Sequence, residues 1–216
     1  MEALGVPSSR IVEVHNGVES ARYERPSRFD LRATLGVPPD ARVVLSVARE
    51  HPTKNHAVTL AAHARVVRNR RDVWQVFIGK GTEVLRDKAR ALGVADRVAT
   101  HPGLYGDELA GAYQQSDLFV LASRFEVFPL TLIEAMAAAR AVVVSRVSGC
   151  VDVVTDDVNG LTVPVDDVSA LADAIERILA DDDLRAAMGA RNRAVARAHD
   201  WSKIAARYLE LGEIHR

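Results

Sequence analysis

Short, continuous apolar runs constrain the fold of this chain more than any other feature. Four of them stand out: VVLSVA (43–48), VWQVFI (73–78), LFVLA (118–122) and AVVVS (141–145), several of them rich in β-branched residues. Apolar residues in continuous rather than alternating order predict strands that are covered on both faces. Segments of helical character lie between the runs. Alternation of strands and helices predicts an α/β protein, in which right-handed crossovers join parallel strands into one open, doubly wound sheet.

Two shorter segments, RVAT (97–100) and GLTV (160–163), predict further strands. After the second of them the pattern becomes helical. Residues 167–180 carry apolar residues at helical spacing, with Asp167 as the N-cap. Residues 182–200 predict another helix, which is rich in arginine and is expected to be mostly exposed to solvent.

The two ends of the chain differ from this central part. Residues 8–40 predict one short strand and a helix near 28–35. Residues 200–214 predict a last helix capped by Asp200, with an apolar stripe that includes Trp201 and Tyr208. We therefore divide the chain into a lead-in segment (1–40), a sheet domain (41–199) and a C-terminal helix (200–216).

Composition narrows the class of protein. Of the 216 residues, 48% are hydrophobic and 26% charged, as is ordinary for a soluble globular protein. The formal net charge of −1 gives no bulk electrostatic reason to expect nucleic acid as a partner. The single cysteine, Cys150, rules out an intrachain disulfide framework and fits a reducing compartment. No apolar stretch is long enough to span a bilayer and no signal-peptide pattern is visible, so the expected location is the cytoplasm.

Residues suited to binding an anion follow several predicted strands. In open parallel sheets, ligands bind beyond the carboxyl ends of the strands. The first run is followed by Arg49 and Lys54, the second by a Gly-Lys-Gly turn and the LFVLA run by a helix that begins near Pro129. Fixed positive charges, small residues and a helix N-terminus predict a phosphate site at this edge. Arg49 and Lys54 alone could be solvated loop charges, and the Gly-Lys-Gly turn alone is a weak signal. The prediction therefore depends on their position at one edge of the sheet.

Two carboxylates flank the same helix start. Glu126 lies in the loop before it and Glu134 lies about one turn inside it. Carboxylates accept hydrogen bonds from sugar hydroxyls, and a phosphate between two such groups describes a nucleotide-sugar. In isolation, Glu126 could cap the helix and Glu134 could be an exposed helix residue. The seven histidines show no zinc-ligand spacing, so no metal site is predicted, and neither a dinucleotide fingerprint nor a nucleophile elbow is present.

Four motifs together resemble a known family. LSVAREHPTKN, VFIGKG, LYGDELAGAYQQSDLFVLASRFEVFPLTLIEAMA and VNGLTVPVDDVSALADAI occur in this order, and the third contains two glutamates separated by seven residues. They are similar to the C-terminal domain of retaining glycosyltransferases of family 4, and the resemblance covers nearly the whole chain. It implies a Rossmann-like, nucleotide-sugar-binding domain that forms half of a GT-B fold. It also implies transfer of a glycosyl group with retention and without a metal or other cofactor.

The resemblance assigns roles to individual residues. Arg49 and Lys54 would hold the diphosphate and Glu126 would contact the transferred sugar, so these three form the catalytic set. Glu134 would bind the ribose hydroxyls. The other donor-binding residues implied are Gly79, Lys80, Gly81, His101 and Gly103 near the base, and Phe128, Pro129 and Leu130 near the phosphate and sugar.

The chain departs from the family pattern at several glycines. The family commonly has glycine where this chain has Val127, Gly-x-Pro at 139–141, and Gly-Gly-x-Pro-Glu where this chain reads Ser148-Gly149-Cys150-Val151-Asp152. Lost glycines raise the question of strained backbone or crowding near the donor.

The family also implies a partner. Its enzymes hold the acceptor on an N-terminal domain that this sequence does not contain, and that domain could also make peripheral membrane contact. Three interpretations remain: a fragment of a longer enzyme, one half of a split enzyme, or a non-catalytic sugar-nucleotide-binding or regulatory module. The base, the sugar and the acceptor are not determined by these motifs.

Overall fold

The structure, a computed structural model, describes residue 7 and residues 11–213, and of residue 213 only the backbone. Six parallel strands form one sheet in the order β3-β2-β1-β4-β5-β6. This confirms the predicted open parallel sheet, including both of its short strands. The strands are β1 (Arg42–Val47), β2 (Val73–Ile78), β3 (Val98–His101), β4 (Leu118–Leu121), β5 (Ala141–Ser145) and β6 (Leu161–Val163).

The strand order reverses between β1 and β4. β1 pairs with β2 along its whole length, from Arg42 opposite Val73 to Val47 opposite Ile78. On its other side it pairs with β4, which comes later in the chain. Loops that leave the carboxyl ends of these two strands therefore diverge in opposite directions and open a crevice between them.

Helices cover both faces of the sheet. In chain order they are α1 (Ser20–Glu24), α2 (Leu31–Leu35), α3 (His56–Asn69), α4 (Leu85–Ala91), α5 (Gly106–Gln114), α6 (Leu130–Ala137), α7 (Ser148–Val151), α8 (Val168–Ala180), α9 (Asp182–Ala198) and α10 (Trp201–Glu213). Short 3-10 turns at Thr82–Val84 and Ala95–Arg97 precede α4 and β3.

Adjacent residues of the central strands enter different cores. Leu45 and Phe119 belong to the cluster on the α5 and α6 side, whereas Val44 and Val120 belong to the cluster on the α3 and α8 side. All four side chains are essentially inaccessible to solvent. Because both faces are covered, these strands are apolar at all positions except Arg42, at the start of β1, and the buried Ser46, which explains the continuous runs in the sequence.

Aspartates cap the C-terminal helices as predicted. The Asp167 carboxylate accepts a hydrogen bond from the Ala170 N–H, and the Asp200 carboxylate accepts one from the Ser202 N–H. Such a cap satisfies an N–H group that has no partner inside the helix, which contributes about 0.5–2 kcal/mol.

The lead-in segment differs from the prediction. Among the described residues before α1, none forms a strand, and Val18 makes only an isolated bridge with Asp200. Residues 8–10 of the segment lie outside the described residues. The described part has no extended neighbour long enough to form a ladder, because its partner chain at Asp200 turns directly into α10. The segment instead packs through Tyr23 and Leu31 into the same core as the sheet.

α9 is mostly exposed to solvent, as predicted, and a narrow side of it is buried. The buried side includes Met188, Gly189 and Asn192, whereas most of its other residues are exposed or partly exposed. The Asn192 amide donates to the backbone oxygens of Arg140 and Asn159. Asn192 is thus a buried hydrogen-bond donor. Its hydropathy is the same as that of an exposed asparagine, so the sequence pattern did not reveal its burial.

Replacing Ala139 by glycine is expected to stabilise the protein. Ala139 adopts φ +57°, in the left-handed region, where the family carries glycine. This conformation costs alanine roughly 1–2 kcal/mol, whereas the larger unfolded-state entropy of glycine opposes the gain by about 0.5–1 kcal/mol. We expect a net gain of up to about 1 kcal/mol in the free energy of unfolding, measured by urea denaturation. Ala138→Gly, at φ −74°, is the control and should lose stability. A loss of stability in both variants would show that the backbone at Ala139 is not strained.

Candidate functional site

An ion pair joins the loops that follow β1 and β4. Lys54 Nζ lies 2.7 Å from Glu126 Oε1, and the Ser123 hydroxyl donates to the same oxygen at 2.6 Å. The Glu126 side chain is only 7% exposed and that of Lys54 is 25% exposed. Burial of a carboxylate is favourable only when such partners replace its lost water. The sequence-predicted Lys54 and Glu126 therefore meet in the crevice where the strand order reverses.

Asn55 anchors the loop that carries Lys54. It adopts φ +57°, a left-handed conformation that asparagine tolerates better than most residues. Its amide donates to the Ala122 oxygen at 3.1 Å and to Asp166 Oδ1 at 2.9 Å. The Arg124 N–H donates to the Thr53 oxygen at 2.8 Å. These bonds tie the loop after β1 to the loop after β4, and they fix the separation of the ion pair.

The N-terminus of α6 opens into a cavity beside the ion pair. Leu130 and Thr131 are the first residues of the helix, so their N–H groups have no intrahelical acceptor. The cavity has a volume of about 280 Å³ and is lined by Lys54, Glu126 and residues 128–131, together with Val47 and Ala48. A helix N-terminus next to a lysine favours an anion such as phosphate.

Arg49 lies in the same loop as Lys54. Its side chain is exposed, and among the described residues it makes no salt bridge or side-chain hydrogen bond. The structure thus places a second cation at this edge, on the loop that leaves β1, with its guanidinium in solvent.

Two imidazoles pack against Phe128. The His15 ring stacks on Phe128 with centroids 4.6 Å apart, and the His199 ring lies 5.6 Å away. His15 comes from the lead-in segment and His199 precedes α10. The two ends of the described chain therefore meet over one wall of the cavity, held together by the bridge at Val18.

The Gly-Lys-Gly turn and the His-Pro-Gly segment are bonded to each other. The Gly79 N–H donates to the His101 oxygen at 2.8 Å, and the Gly103 N–H approaches His101 Nδ1 at 3.3 Å. Gly79 has φ +149°, and a Cβ there would lie 2.2 Å from the Ala48 oxygen, so only glycine fits. Lys80 is exposed, and its backbone oxygen accepts from the Glu50 N–H. The predicted base-binding loops are thus neighbours, beside the first residues after β1.

Glu134 lies in a neighbouring cavity. The Tyr113 hydroxyl donates to Glu134 Oε2 at 2.8 Å. A cavity of about 240 Å³ next to Glu134 is lined by Gly17, Tyr23 and Trp201 among others. Leu130 lines both this cavity and the one at the ion pair, so the two adjoin at the start of α6. The structure therefore places the two predicted carboxylates on opposite sides of the helix start.

Burial controls the ionisation of Glu134. It raises the pKa of Glu134, against the lowering effect of hydrogen bonds from Tyr113 and Tyr23. The pKa of Tyr113 is raised as well, by burial and by the Glu134 charge, so both tyrosines stay protonated donors. The carboxylate at this site is held in a less favourable environment than water provides.

We expect Glu134→Gln to stabilise the fold in a pH-dependent way. Because the folded-state pKa of Glu134 is raised above its ordinary value of 4.5, the folded state binds protons more tightly. Stability then falls as pH rises from 4.5 through the raised pKa. Below pH 4.5 the wild type and the variant should differ little, and the advantage of glutamine should grow above it. Urea midpoints from pH 4 to 8 measure this; a pH-independent difference would contradict it.

The structure reveals supporting residues that the motifs did not indicate. Ser123 and Asn55 hold the ion pair, the Tyr113 hydroxyl donates to Glu134, and Tyr23 lines the same cavity as Glu134. The two tyrosines lie on α5 and on the lead-in segment, far from Glu134 in sequence, and a phenol in an apolar pattern is indistinguishable from core. The one available signal was the position of Ser123 and Asn55 in the same loops as Lys54 and Glu126.

The glycine departures have different consequences. Val127 is 74% exposed and has no positive φ, so its side chain causes no crowding. Ser148 is exposed at the first turn of α7. The position that requires glycine is Gly149, where a Cβ would lie 2.4 Å from the Val127 oxygen. The chain therefore keeps glycine where the close contact requires it. Among the departures, the strained backbone is at Ala139, which has a positive φ.

Two features are absent from the described residues. None of their helices is both long and apolar enough to cross a lipid bilayer. No group of three or more histidine, cysteine, aspartate or glutamate side chains in that part of the chain is arranged to hold a metal ion.

Curated proteins similar to this chain are glycosyltransferases. The chain is 32% identical over 209 residues to the D-inositol 3-phosphate glycosyltransferase of Saccharomonospora viridis, a match that covers 92% of this chain and 48% of that protein. It is 35% identical over 223 residues to the phosphatidyl-myo-inositol mannosyltransferase of Mycolicibacterium smegmatis, covering 99% and 53% respectively. The chain thus spans about half the length of these relatives.

Solved glycosyltransferase structures share the fold. Sucrose-phosphate synthase from Thermosynechococcus elongatus superposes with a TM-score of 0.79 at 29% identity, over 94% of this chain and 51% of that one. HepE from Anabaena, solved in complex with UDP and glucose, gives a TM-score of 0.86 at 22% identity, over 98% and 59%. These matches confirm a Rossmann-like sheet of the kind that forms half of a GT-B fold.

The family model described as "Glycosyl transferases group 1" matches residues 27–195. That span contains all six strands, the Lys54–Glu126 pair and Glu134. The chain therefore belongs to the group 1 glycosyltransferases.

Proposed function

We propose that this chain is the donor-binding domain of a retaining, family 4 glycosyltransferase and binds a nucleotide-diphospho-sugar. The observation that carries the proposal is the Lys54–Glu126 pair at 2.7 Å, in a cavity that the N-terminus of α6 also lines. A cation and free N–H groups suit phosphate, and a carboxylate beside them suits a sugar hydroxyl. A diphospho-sugar carries both kinds of group next to each other.

Each half of the site has a chemical task. Lys54 and Arg49 would neutralise the diphosphate as it leaves, which is the task that a metal ion performs in other sugar transferases. Glu126 Oε1 is occupied by Lys54 and Ser123, whereas Oε2 makes no hydrogen bond within the described residues. We assign Oε2 to a hydroxyl of the transferred sugar. On this basis we propose that transfer needs no metal.

The nucleoside would lie on the other side of Leu130. Glu134 would accept hydrogen bonds from the ribose hydroxyls, held in place by Tyr113. The loops at Gly79–Gly81 and His101–Gly103 would approach the base, where their exposed backbone permits close contact. HepE, which shares the fold, was solved with UDP and with UDP-glucose, and this supports a nucleotide or nucleotide-sugar as the ligand.

The acceptor would be bound by a part of the enzyme outside this sequence. The crevice opens at the carboxyl edge of the sheet, and exposed apolar side chains, Phe125, Val127 and Leu130, surround its mouth. The relatives, about twice as long, supply room for a second domain. We further propose a cytoplasmic location, on the basis of the single, buried cysteine.

Calorimetry with UDP, GDP and ADP tests the donor site. We expect at least one of them to bind in the presence of EDTA, and Glu134→Ala to weaken it. Glu210→Ala, which removes an exposed carboxylate on α10, is the matched control for a charge change away from the site. No binding by any of the three nucleotides would overturn the donor-domain proposal. Binding that appears only with a divalent metal would overturn the proposal that transfer needs no metal.

A further inference from the structure

Basic side chains are concentrated in one part of this nearly neutral chain. Residues 65–97 contain nine lysines and arginines against four aspartates and glutamates, a net charge of +5, while the whole chain carries −1. The segment runs from the second half of α3 through β2 and α4 to the start of β3. β3 is an edge strand of the sheet and β2 is its neighbour. The positive charge is therefore gathered at one edge of the fold.

Some of these cations are neutralised locally and others are not. Arg70 pairs with Asp72 at 3.0 Å and Lys88 pairs with Glu50 at 3.1 Å. Arg68 and Arg71 are exposed, and within the described part of the chain neither makes a salt bridge or a side-chain hydrogen bond. Arg97 has only a loose contact of 3.5 Å with Asp96.

The three poorly paired arginines line one cavity. Arg68, Arg71 and Arg97 surround a volume of about 240 Å³ between the end of α3 and the turn at Gly93. Val67 and Leu92 form part of its wall. This volume suits a group such as a phosphate with its first waters. Guanidinium groups bind phosphate oxygens through paired N–H donors in a planar fork, which an ammonium cannot do.

A buried hydrogen bond joins two of the backbone segments around the cavity. His63, buried in α3, donates from Nε2 to the Arg97 backbone oxygen at 3.1 Å. Burial lowers the pKa of His63 to about 4, so the ring is a neutral donor at physiological pH. This bond ties α3 to the start of β3. The helix that carries Arg68 is therefore bonded directly to the backbone of Arg97.

Local effects that oppose an anion are smaller than those that favour it. α3 ends at Asn69 and α4 at Ala91, so two helix C-termini face this region with a fraction of an elementary charge each. Asp96 adds one negative charge, although its side chain is 70% exposed and therefore well screened. Three guanidinium charges exceed this total.

The cavity is far from the proposed donor site. α3 begins directly after Lys54 and Asn55 at the carboxyl edge of the sheet, and its 14 residues span about 20 Å. The arginines lie at its other end. A ligand here would not compete with a nucleotide at Lys54.

We propose that Arg68, Arg71 and Arg97 form a binding site for a phosphate monoester or diphosphate group, separate from the donor site. The group could belong to a soluble phosphorylated molecule or to an anionic lipid headgroup. The two sources share the same contacts, and they are distinguished by the form in which the phosphate is presented.

The test compares a double variant with a charge-matched control. Arg68→Ala/Arg71→Ala removes two of the three cations, and Arg28→Ala/Arg86→Ala removes two exposed arginines that lie outside the cavity. Calorimetry with pyrophosphate measures a soluble ligand, and it is repeated in a Lys54→Met background so that pyrophosphate bound at the proposed donor site is not counted. Co-sedimentation with phosphatidylcholine vesicles, with and without phosphatidic acid, measures a headgroup. All four substituted side chains are exposed, and circular dichroism checks that the variants fold.

We expect the wild type and the control to bind pyrophosphate or the phosphatidic acid vesicles, and the cavity variant to lose at least tenfold in affinity. Binding should weaken as salt rises, because exposed charges are screened. Absence of binding in both assays, or an equal loss in the control, would overturn the proposal. Nucleotide binding at the donor edge should be unchanged in the cavity variant, so the outcome is independent of the proposed function.

Discussion

Gly149→Ala is expected to lower the free energy of unfolding by about 1–3 kcal/mol, the usual cost of forcing an extra methyl group into a packed region. A Cβ at this position would lie 2.4 Å from the Val127 oxygen and 2.7 Å from the Glu126 oxygen. Both are backbone atoms, so no side-chain rotation relieves the contact. The strand β5 and helix α7 on one side and the loop after β4 on the other would have to separate.

The same substitution should also weaken nucleotide binding. The Gly149 N–H approaches the Glu126 oxygen at 3.3 Å, so separation of the two segments would move Glu126 relative to Lys54. Urea denaturation measures the stability and calorimetry with the bound nucleotide measures the affinity. Gly212→Ala, where nothing lies within 4 Å of a new Cβ, is the control and should lose neither. Wild-type stability in Gly149→Ala would show that the close contact is absent in solution.

Lys54→Met should reduce both stability and donor affinity. It leaves the Glu126 carboxylate, only 7% exposed, without its cation. Because Ser123 still donates to Glu126 and Lys54 itself is partly exposed, we expect a loss of about 1–3 kcal/mol in the free energy of unfolding. Loss of the charge-assisted phosphate contact should weaken nucleotide binding about tenfold or more, since each 1.4 kcal/mol is a factor of ten.

A second substitution separates these two effects. In Lys54→Met/Glu126→Gln the buried charge is gone, so much of the stability should return while the nucleotide affinity stays low. The interaction energy from the complete double-mutant cycle reports the pair itself. Lys203→Met controls for loss of a lysine from the surface. Affinity that recovers together with stability would mean that Lys54 acts only through the position of Glu126 and does not contact phosphate.

The strands were predictable because their sequence signal is strong and local. A residue such as Val44 or Leu45 is buried whichever face it meets, so a continuous apolar run needs no tertiary information to be recognised. The predicted strand of the lead-in segment was wrong for the opposite reason, and the buried side of α9 was not predicted for the same reason. Whether residues near Val18 pair into a ladder, or Asn192 points inward, depends on neighbours that are distant in sequence.

The site shows the same division. Lys54 and Glu126 could be predicted as neighbours because loops after parallel strands share an edge, and the strand order then brings them to 2.7 Å. Tyr113 could not be predicted as the partner of Glu134, because the packing of α5 against α6 is what brings them together. The missing glycine at Ala139 indicated that the backbone there could be strained, but only the structure gave its left-handed conformation.

The sequence by itself determined the parallel α/β class, the edge of the sheet that carries the candidate site, and the residue types available there. These follow from local periodicity and from the geometry of parallel strands. Only the tertiary structure decided that Glu126 is paired and buried, that Glu134 lies in a separate cavity and accepts a hydrogen bond from Tyr113, and that three arginines line a cavity near the far end of α3. Distances between side chains are set by the packing of elements far apart in the chain, and no local pattern encodes them.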